Sequence, residues 1–536
     1  QNTAVGYNAM TSGTHTSFNF NTVVGANAGD AFNATAAIEH VTVLGANALG
    51  GVLTAGANGT IAIGSSALGA LTSGSGNTAV GFDSGSSNQT GDNNTWVGYE
   101  AGKGGSGSEA GNVGIGHQAL TAITNGANNI AIGKASMAAM TAGGNNVAIG
   151  NSTLDAADLG ESGNVAIGVD AMSAVDEGAS GGDADLNIAI GYQALVGGAF
   201  ASDLQLHGNI AIGAYALDAT AGNAQSGTMA IGQESLTALT SGSGNTAVGF
   251  ETGRAMTSGG ANTFLGYQAG TQNVSGGRNV AIGNQALYQT GGSNAEASGD
   301  NVAIGYNAMG GDWAAAGSEK NVAIGSYALD GVLNGANNNI AIGYQTMTVI
   351  TEGHSNTSVG HTSMLDLTEG AQNTAIGQNS MPNVTTGSHN TALGDSACLV
   401  LNAGSYNIGV GRLANYDTLT TGSHNICMGY ASNTSASDSE HQFVFGNSVT
   451  GNADNSFVFG NSTTDCAIAF GGDAITNPSD ERIKEDIQDS TAGLDFINDL
   501  RPVTFKYRME KDIPEELIAH VPDSEERFRN DKINHG

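Results

Sequence analysis

A five-residue pattern of one polar, three apolar and one glycine position, close to Asn-Val-Ala-Ile-Gly, recurs along almost the whole chain. It reads NTAVG at 2–6, NIAIG at 129–133, NVAIG at 164–168, NTFLG at 262–266, NTAIG at 373–377 and NICMG at 425–429. Counted by the closing glycine there are 27 copies from Gly6 to Gly471; 12 of the 26 intervals are 17 residues, most others 18–23, and the last two 14 and 11. Thr/Val, Ala and Ile/Val favour extended backbone, in which the first and third residues share one face. The third position is nearly always Ile, Val, Leu or Met, so that face is expected to be the buried one. Glycine then permits a sharp or left-handed turn. A short segment such as YNAM at 306–309 or YQAL at 192–195 runs back, and a polar stretch such as TSGSGN at 72–77 or TTGSHN at 385–390 closes the coil.

A unit this short cannot bury a face alone, so neighbouring units must stack to complete it. The expected fold is all-β: a parallel β-roll or β-solenoid in which each leading Asn lies above the previous one, forming a hydrogen-bonded ladder. At roughly 4.8 Å per stacked strand, the 27 copies make a rod on the order of 130 Å long. Coiled coils and helical solenoids are excluded because glycine punctuates every short segment. Collagen is excluded because the 83 glycines follow no Gly-X-Y period. A single coil this thin has a marginal core, which favours self-association.

Charge narrows the function classes. A formal net charge of −33 opposes binding to nucleic acid and to anionic membranes. Basic residues before position 479 are Lys103, Lys134, Arg254, Arg278, Lys320 and Arg412; the other 9 of 15 fall in the last 58 residues. Prolines shift in the same place, with Pro382 alone before Pro478, Pro502, Pro514 and Pro522. The expected organisation is a repetitive shaft over 1–472, a linker over 473–478 and a different domain over 479–536. Gln1 opens in mid-repeat, which argues against a native N-terminus there. No apolar run reaches transmembrane length and no signal peptide is evident, so no membrane insertion is expected. Cys398, Cys427 and Cys466 are too widely spaced for a zinc site or a disulfide framework and read as small apolar fillers.

The repeat units resemble the head repeats of trimeric autotransporter adhesins and the fibre proteins of tailed phages, although 17–23 residues is longer than the shorter adhesin coil. That resemblance implies a homotrimer. From Ser479 the sequence changes. DSTAGLDFINDL has Leu494, Ile497 and Leu500 at helical spacing before Pro502, and PVTFKYRM alternates Val503, Phe505 and Tyr507 as a strand does. A short α+β segment is therefore expected. Ser479-Asp480, Arg482, Lys484, Leu494, Leu500, Arg501, Pro502, Val503 and Phe505 resemble the start of the intramolecular chaperone domain of endosialidase-type tailspikes and fibres. The resemblance implies a domain that trimerises the chain, guides folding of the preceding β-structure and cuts itself off before the serine. That family continues with a glycine and an IAQE-like helix, so a chain stopping at His535-Gly536 reads as truncated.

On this basis the expected function is a structural and adhesive fibre of a virion, a tail fibre or receptor-binding shaft. A cell-surface trimeric adhesin and a glycan-degrading tailspike are the alternatives. Expected partners are two further copies, a host cell-surface glycan or protein receptor, and other virion tail proteins. By resemblance, the bond between Pro478 and Ser479 is cut with Ser479 as nucleophile and Lys484 as general base. Five positions apart on a helix, the two side chains would point about 140° apart. Either the segment bends or Lys484 of a neighbouring copy serves. The alternative is that Ser479 caps a helix carrying Asp480 and Glu481 in its first turn.

Elsewhere the chemistry is thin. GVGRLA at 409–414 and GIGHQA at 114–119 fit a dinucleotide fingerprint but lack its βαβ setting, and GASGG at 178–182 fits a nucleophile elbow only in letters. No cofactor and no metal site is expected. His389 and His424 fall two coils apart and cannot share an ion. Stretched coils at 168–213 and 283–325 are the expected recognition bulges. Trp313 in one of them is a receptor-binding candidate by stacking on a sugar ring, or else a loop anchored by its own aromatic. Trp96, at an Ala position, is expected to pack.

Overall fold

The computed structural model describes residues 1–470 except 12–17, 33–36, 54–55, 106, 176–183, 199–204, 221–224, 289–297 and 315. In the C-terminal region it describes 504–505, 510–512, 523–525 and 534–535. The chain forms two compact units, Gln1–Thr476 and Asn477–Gly536. In the second, Thr504–Phe505 pairs antiparallel with Asn534–His535, and Glu510–Asp512 makes a short 3-10 turn. The strand expected over PVTFKYRM thus includes Thr504–Phe505, while the helix expected over 490–500 lies outside the described residues.

The first unit is a parallel β-solenoid. Three-residue strands such as Val147–Ile149, Val165–Ile167 and Ile188–Ile190 lie one above the next in exact repeat register: Ala148 pairs with Ala166, and Ala166 with Ala189. All belong to one 27-stranded sheet. Coils of 17 and 23 residues stack equally well because the extra residues enter between strands. At about 4.8 Å per strand the stack is roughly 120 Å long.

The end of the stack departs from the repeat count. Gln442–Asn447 and Ser456–Asn461 are six-residue parallel strands, but Thr464–Ala469 turns back and pairs antiparallel, Cys466 facing Phe459. The 27th repeat is therefore a hairpin rather than a coil. Only 11 residues separate Gly460 from Gly471, too few for a full circuit.

Burial reverses the expected orientation of each strand. The middle residue points inward: Ala148, Ala189 and Ala303 are fully buried, whereas Leu265 and Ile324, at third positions, are 46% and 36% exposed. The interior is a thin slot between the Ala column and the returning segment, whose own Ala and Leu or Met (Ala194 and Leu195, Ala308 and Met309) fill the other side. A branched side chain on every strand would not fit such a slot. The hydrophobic core is one continuous cluster from Phe18 to Leu419, followed by a small one of Cys427, Val444, Val449 and Val458.

The exceptions show how strictly volume is kept. Trp96 and Phe264 stand at Ala positions and are fully buried. Around Trp96 the Leu column becomes Gly85 and Gly102, and the next Ala becomes Gly114. A Cβ at Gly85 would lie 2.7 Å from Trp96 Cδ1, and one at Gly114 2.8 Å from Cε3. Gly253 and Gly270 make the same room for Phe264.

A ladder of buried asparagines pairs backbone amides and carbonyls from coil to coil. Asn129 Oδ1 accepts from the backbone N–H of Asn146 at 3.0 Å and from its Nδ2 at 3.1 Å, while Asn146 Nδ2 also donates to the Glu161 carbonyl at 2.7 Å. The ladder is continuous from Asn77 to the amide of Thr228, and from Asn245 to the amide of Gln442. The closing glycine is required twice over. Gly305 has φ +137°, and a Cβ there would approach the Gly325 carbonyl carbon and oxygen to 2.7 Å. Beyond it the backbone alternates into the left-handed region even at bulky residues, as at Gln193 (φ 51°) and Leu195 (φ 49°). Such residues are unfavourable there alone; stacking against an identical turn above and below holds them.

Candidate functional site

The inward turn of alanine places the larger apolar residues outside. Of the 27 strands, 26 run parallel, and their 52 outward positions hold only Thr, Val, Ile, Leu, Met or Phe. A chain with 48 acidic residues sets none of them in these two columns. The result is an uncharged apolar stripe along one face of the solenoid, about 120 Å by 10 Å.

Two columns flank the stripe. On one edge lies the residue before each buried Asn, in left-handed conformation; on the other lies the residue after each closing glycine. Both edges carry rings that stack from coil to coil. His389, Tyr406, His424 and His441 form one ladder, with centroids 4.6, 4.9 and 4.9 Å apart and nearly parallel planes. Phe82, Tyr99 and His117 form another at 5.5 and 5.0 Å. His389 and His424 are thus two coils apart, with Tyr406 between them. Charged neighbours on the edges also pair between coils. Arg278 Nε donates to Asp300 Oδ1 at 2.6 Å and its second nitrogen to Oδ2 at 2.9 Å, holding the Asp300 carboxyl below its ordinary range. Arg412 donates to Asp395 at 3.1 Å.

Trp313 is 3% exposed, so neither indole face is offered to a sugar and the anchoring alternative describes its position. The chain beside it stacks inward, the Ala314 amide donating to the Leu333 carbonyl at 2.8 Å. Much of both expected bulges, 176–183, 199–204 and 289–297, lies outside the described residues, as do Pro478, Ser479 and Lys484. Cys398 and Cys427 are fully buried. Burial pushes the Cys398 thiol up to about 12 and raises that of Cys427 further, so both stay protonated and act as apolar fillers. Trp96 packs as expected.

The outer stripe is the feature that sequence reasoning misassigned. Its signal was present: the middle position is Ala in 16 of the 26 parallel strands and Gly, Ser or Cys in four more, which marks a size-limited interior, while the outer positions vary freely among larger apolar residues and Thr.

Residues 479–522 match the family described as chaperone of endosialidase. No curated protein matches the chain.

Proposed function

We propose that the chain is the shaft of a homotrimeric virion fibre, of tail-fibre or tailspike type, aligned during assembly by its C-terminal chaperone segment. The observation that carries this reading is the uncharged apolar stripe. At on the order of 1,200 Å² per copy it exceeds the roughly 800 Å² per partner of a standard interface. Contiguous exposed apolar surface of that size marks an association site. Its uniform repetition fits further copies of the same chain, which present the same stripe at the same spacing. Three copies facing a common axis would bury it entirely, leaving the acidic turns in water. The chaperone match supports the fibre class, because near-identical strands offer many wrong registers and need an alignment device. Host-surface and tail-protein partners belong to the same proposal.

The test is the mass of the native particle. By sedimentation, the chain should run as a trimer. Ile212→Lys with Ile231→Lys should shift it towards monomer while retaining β-type circular dichroism, because both side chains point outward. Ala211→Lys, pointing inward, should unfold the neighbouring coils instead. A monomeric parent, or a lysine variant that still trimerises, rejects the reading.

Maturation by self-cleavage is part of the proposal. Ser479 Oγ would attack the Pro478 carbonyl carbon as Lys484 takes its proton. The Pro478–Ser479 amide breaks to an ester with the Ser479 nitrogen released as an amine, and water then hydrolyses the ester to free both segments. The Lys484 amine must be neutral to serve, which requires a value well below the ordinary 10.4 or so. In the chain expressed from its complete reading frame, Ser479→Ala should abolish the cut seen by mass spectrometry. Undiminished cleavage in that variant removes the mechanism. Cleavage restored by mixing Ser479→Ala with Lys484→Ala chains would place the base on a neighbouring copy.

A further inference from the structure

We infer that copies of the shaft are joined along seams in which the residue before each buried Asn meets, on the next copy, the residue after the closing glycine of the same repeat. In the sequence these two residues are six positions apart, as His389 and Asp395 or Ser355 and His361 are. The inference rests on the self-association proposed above and adds to it which residues touch, and at what height.

Two arguments carry it. The first is symmetry. Copies related by rotation about an axis parallel to the stack keep every coil at one level, and a cyclic contact is heterologous, so it sets one edge of a copy against the opposite edge of the next. With the apolar stripe facing the axis, the two flanking columns are the edges that meet. Within one chain the two residues stand at opposite ends of the strand, about 20 Å apart, and do not touch.

The second is the way the edges are occupied. The edge before the Asn carries rings at Phe20 and His40 and then none until His389. That ring-free interval contains the ladders of the other edge, from Phe82 to His361. Hence Gly244 stands level with Phe250 and Ala261 with Tyr267, while Phe20 stands level with Ala26 and His40 with Ala46. Rings are present at both ends of a strand only at His424 and Tyr430. Residues too far apart to touch in one chain have no packing reason to alternate in this way. Across a seam the reason is space: a ring ladder on one copy lies in the groove left by small or polar residues on its neighbour.

Paired cysteines test the geometry. Ser355→Cys with His361→Cys, and separately His389→Cys with Asp395→Cys, should give covalent dimers and trimers on treatment with a short bis-maleimide. Each single variant, and the parent with its own Cys466, serves as control. The staggered pair Ser355→Cys with Asp395→Cys places its partners two coils apart in height and should cross-link several-fold less. All variants are outward-facing, and sedimentation of the untreated particles reports whether association persists. Multimers of native mass in which level pairs cross-link no better than single variants or the staggered pair overturn the seam and leave self-association standing. A monomeric mass overturns both.

Discussion

Thr60 stands in the asparagine column, fully buried, with its hydroxyl lacking a partner among the described residues. Other coils show that the column accepts Asn even where Ala precedes it by three positions, as Ala57 precedes Thr60; Ala184 and Asn187, and Ala336 and Asn339, are such pairs. Thr60→Asn would supply an acceptor to the coil above and a donor within its own, and is expected to raise stability by about 1 kcal/mol, read as a higher thermal midpoint. Glu109 presents the opposite situation. It is fully buried, neither carboxylate oxygen has a partner among the described residues, and burial raises its pKa from 4.5 to about 7. Below pH 4.5 the carboxyl is neutral whether folded or unfolded and nothing is lost. As pH rises from 4.5 through 7 the unfolded chain ionises first, stability falls, and above 7 the loss is complete. Glu109→Gln should therefore stabilise the shaft at pH 8 and change little at pH 4, which thermal unfolding at the two values will show.

At the level of the coil, conserved volume makes a sharper prediction than any single deletion. Trp96→Ala should cost about 3–5 kcal/mol through the cavity it leaves. Adding Gly85→Leu and Gly102→Leu rebuilds the regular Ala-plus-Leu filling and should recover much of that loss, whereas either leucine added beside an intact Trp96 should destabilise. Hydrogen exchange of the 95–115 strands separates these outcomes. The same bookkeeping explains what could be read in advance. Repeat period, parallel stacking, the Asn ladder and the turn glycine follow from letters that recur at fixed spacing, and all are present in the structure. Strand orientation comes out backwards from the sequence because Ile outranks Ala in apolarity. Apolarity says which residues leave water, but the slot between strand and returning segment has room for little more than a methyl group in most coils, and takes a larger residue only where its neighbours give way, as at Trp96, so the larger residues of most strands face outward. The terminal hairpin was masked by NSFVFG and CAIAFG looking alike, although an 11-residue interval was already too short for a circuit.

For the whole shaft, the self-association proposed above makes the isolated coil stack only half of a packing solution. Its inner slot is lined largely by alanine, and the larger side chains of its strands face outward. Stability of the shaft should thus depend on protein concentration, as it does for obligate oligomers. Heat denaturation over a hundredfold dilution series should lower the midpoint for the parent, and should lose that dependence when Ile212 and Ile231 are lysine. The candidate cleavage residues were legible only through resemblance, since a serine and a lysine five positions apart carry no geometric signature of their own.

The closing hairpin sets a direction in time. Ser456–Asn461 and Thr464–Ala469 are long strands joined by two residues, and Gln442–Asn447 joins them across a short loop. Every other contact in the sheet pairs only three residues of each strand across a longer excursion, with a larger entropic cost of closure and less pairing in return. The first template to form should therefore be at the carboxyl end, with coils adding to it in reverse order of synthesis. A ribosome releases the amino end first, so most of the shaft must wait, unpaired, until its last coil has been made. In pulse-labelled refolding, amides of 442–469 should gain protection before those of 61–149. Nascent chains halted before residue 440 should remain open to protease, and chains extended past 470 should close.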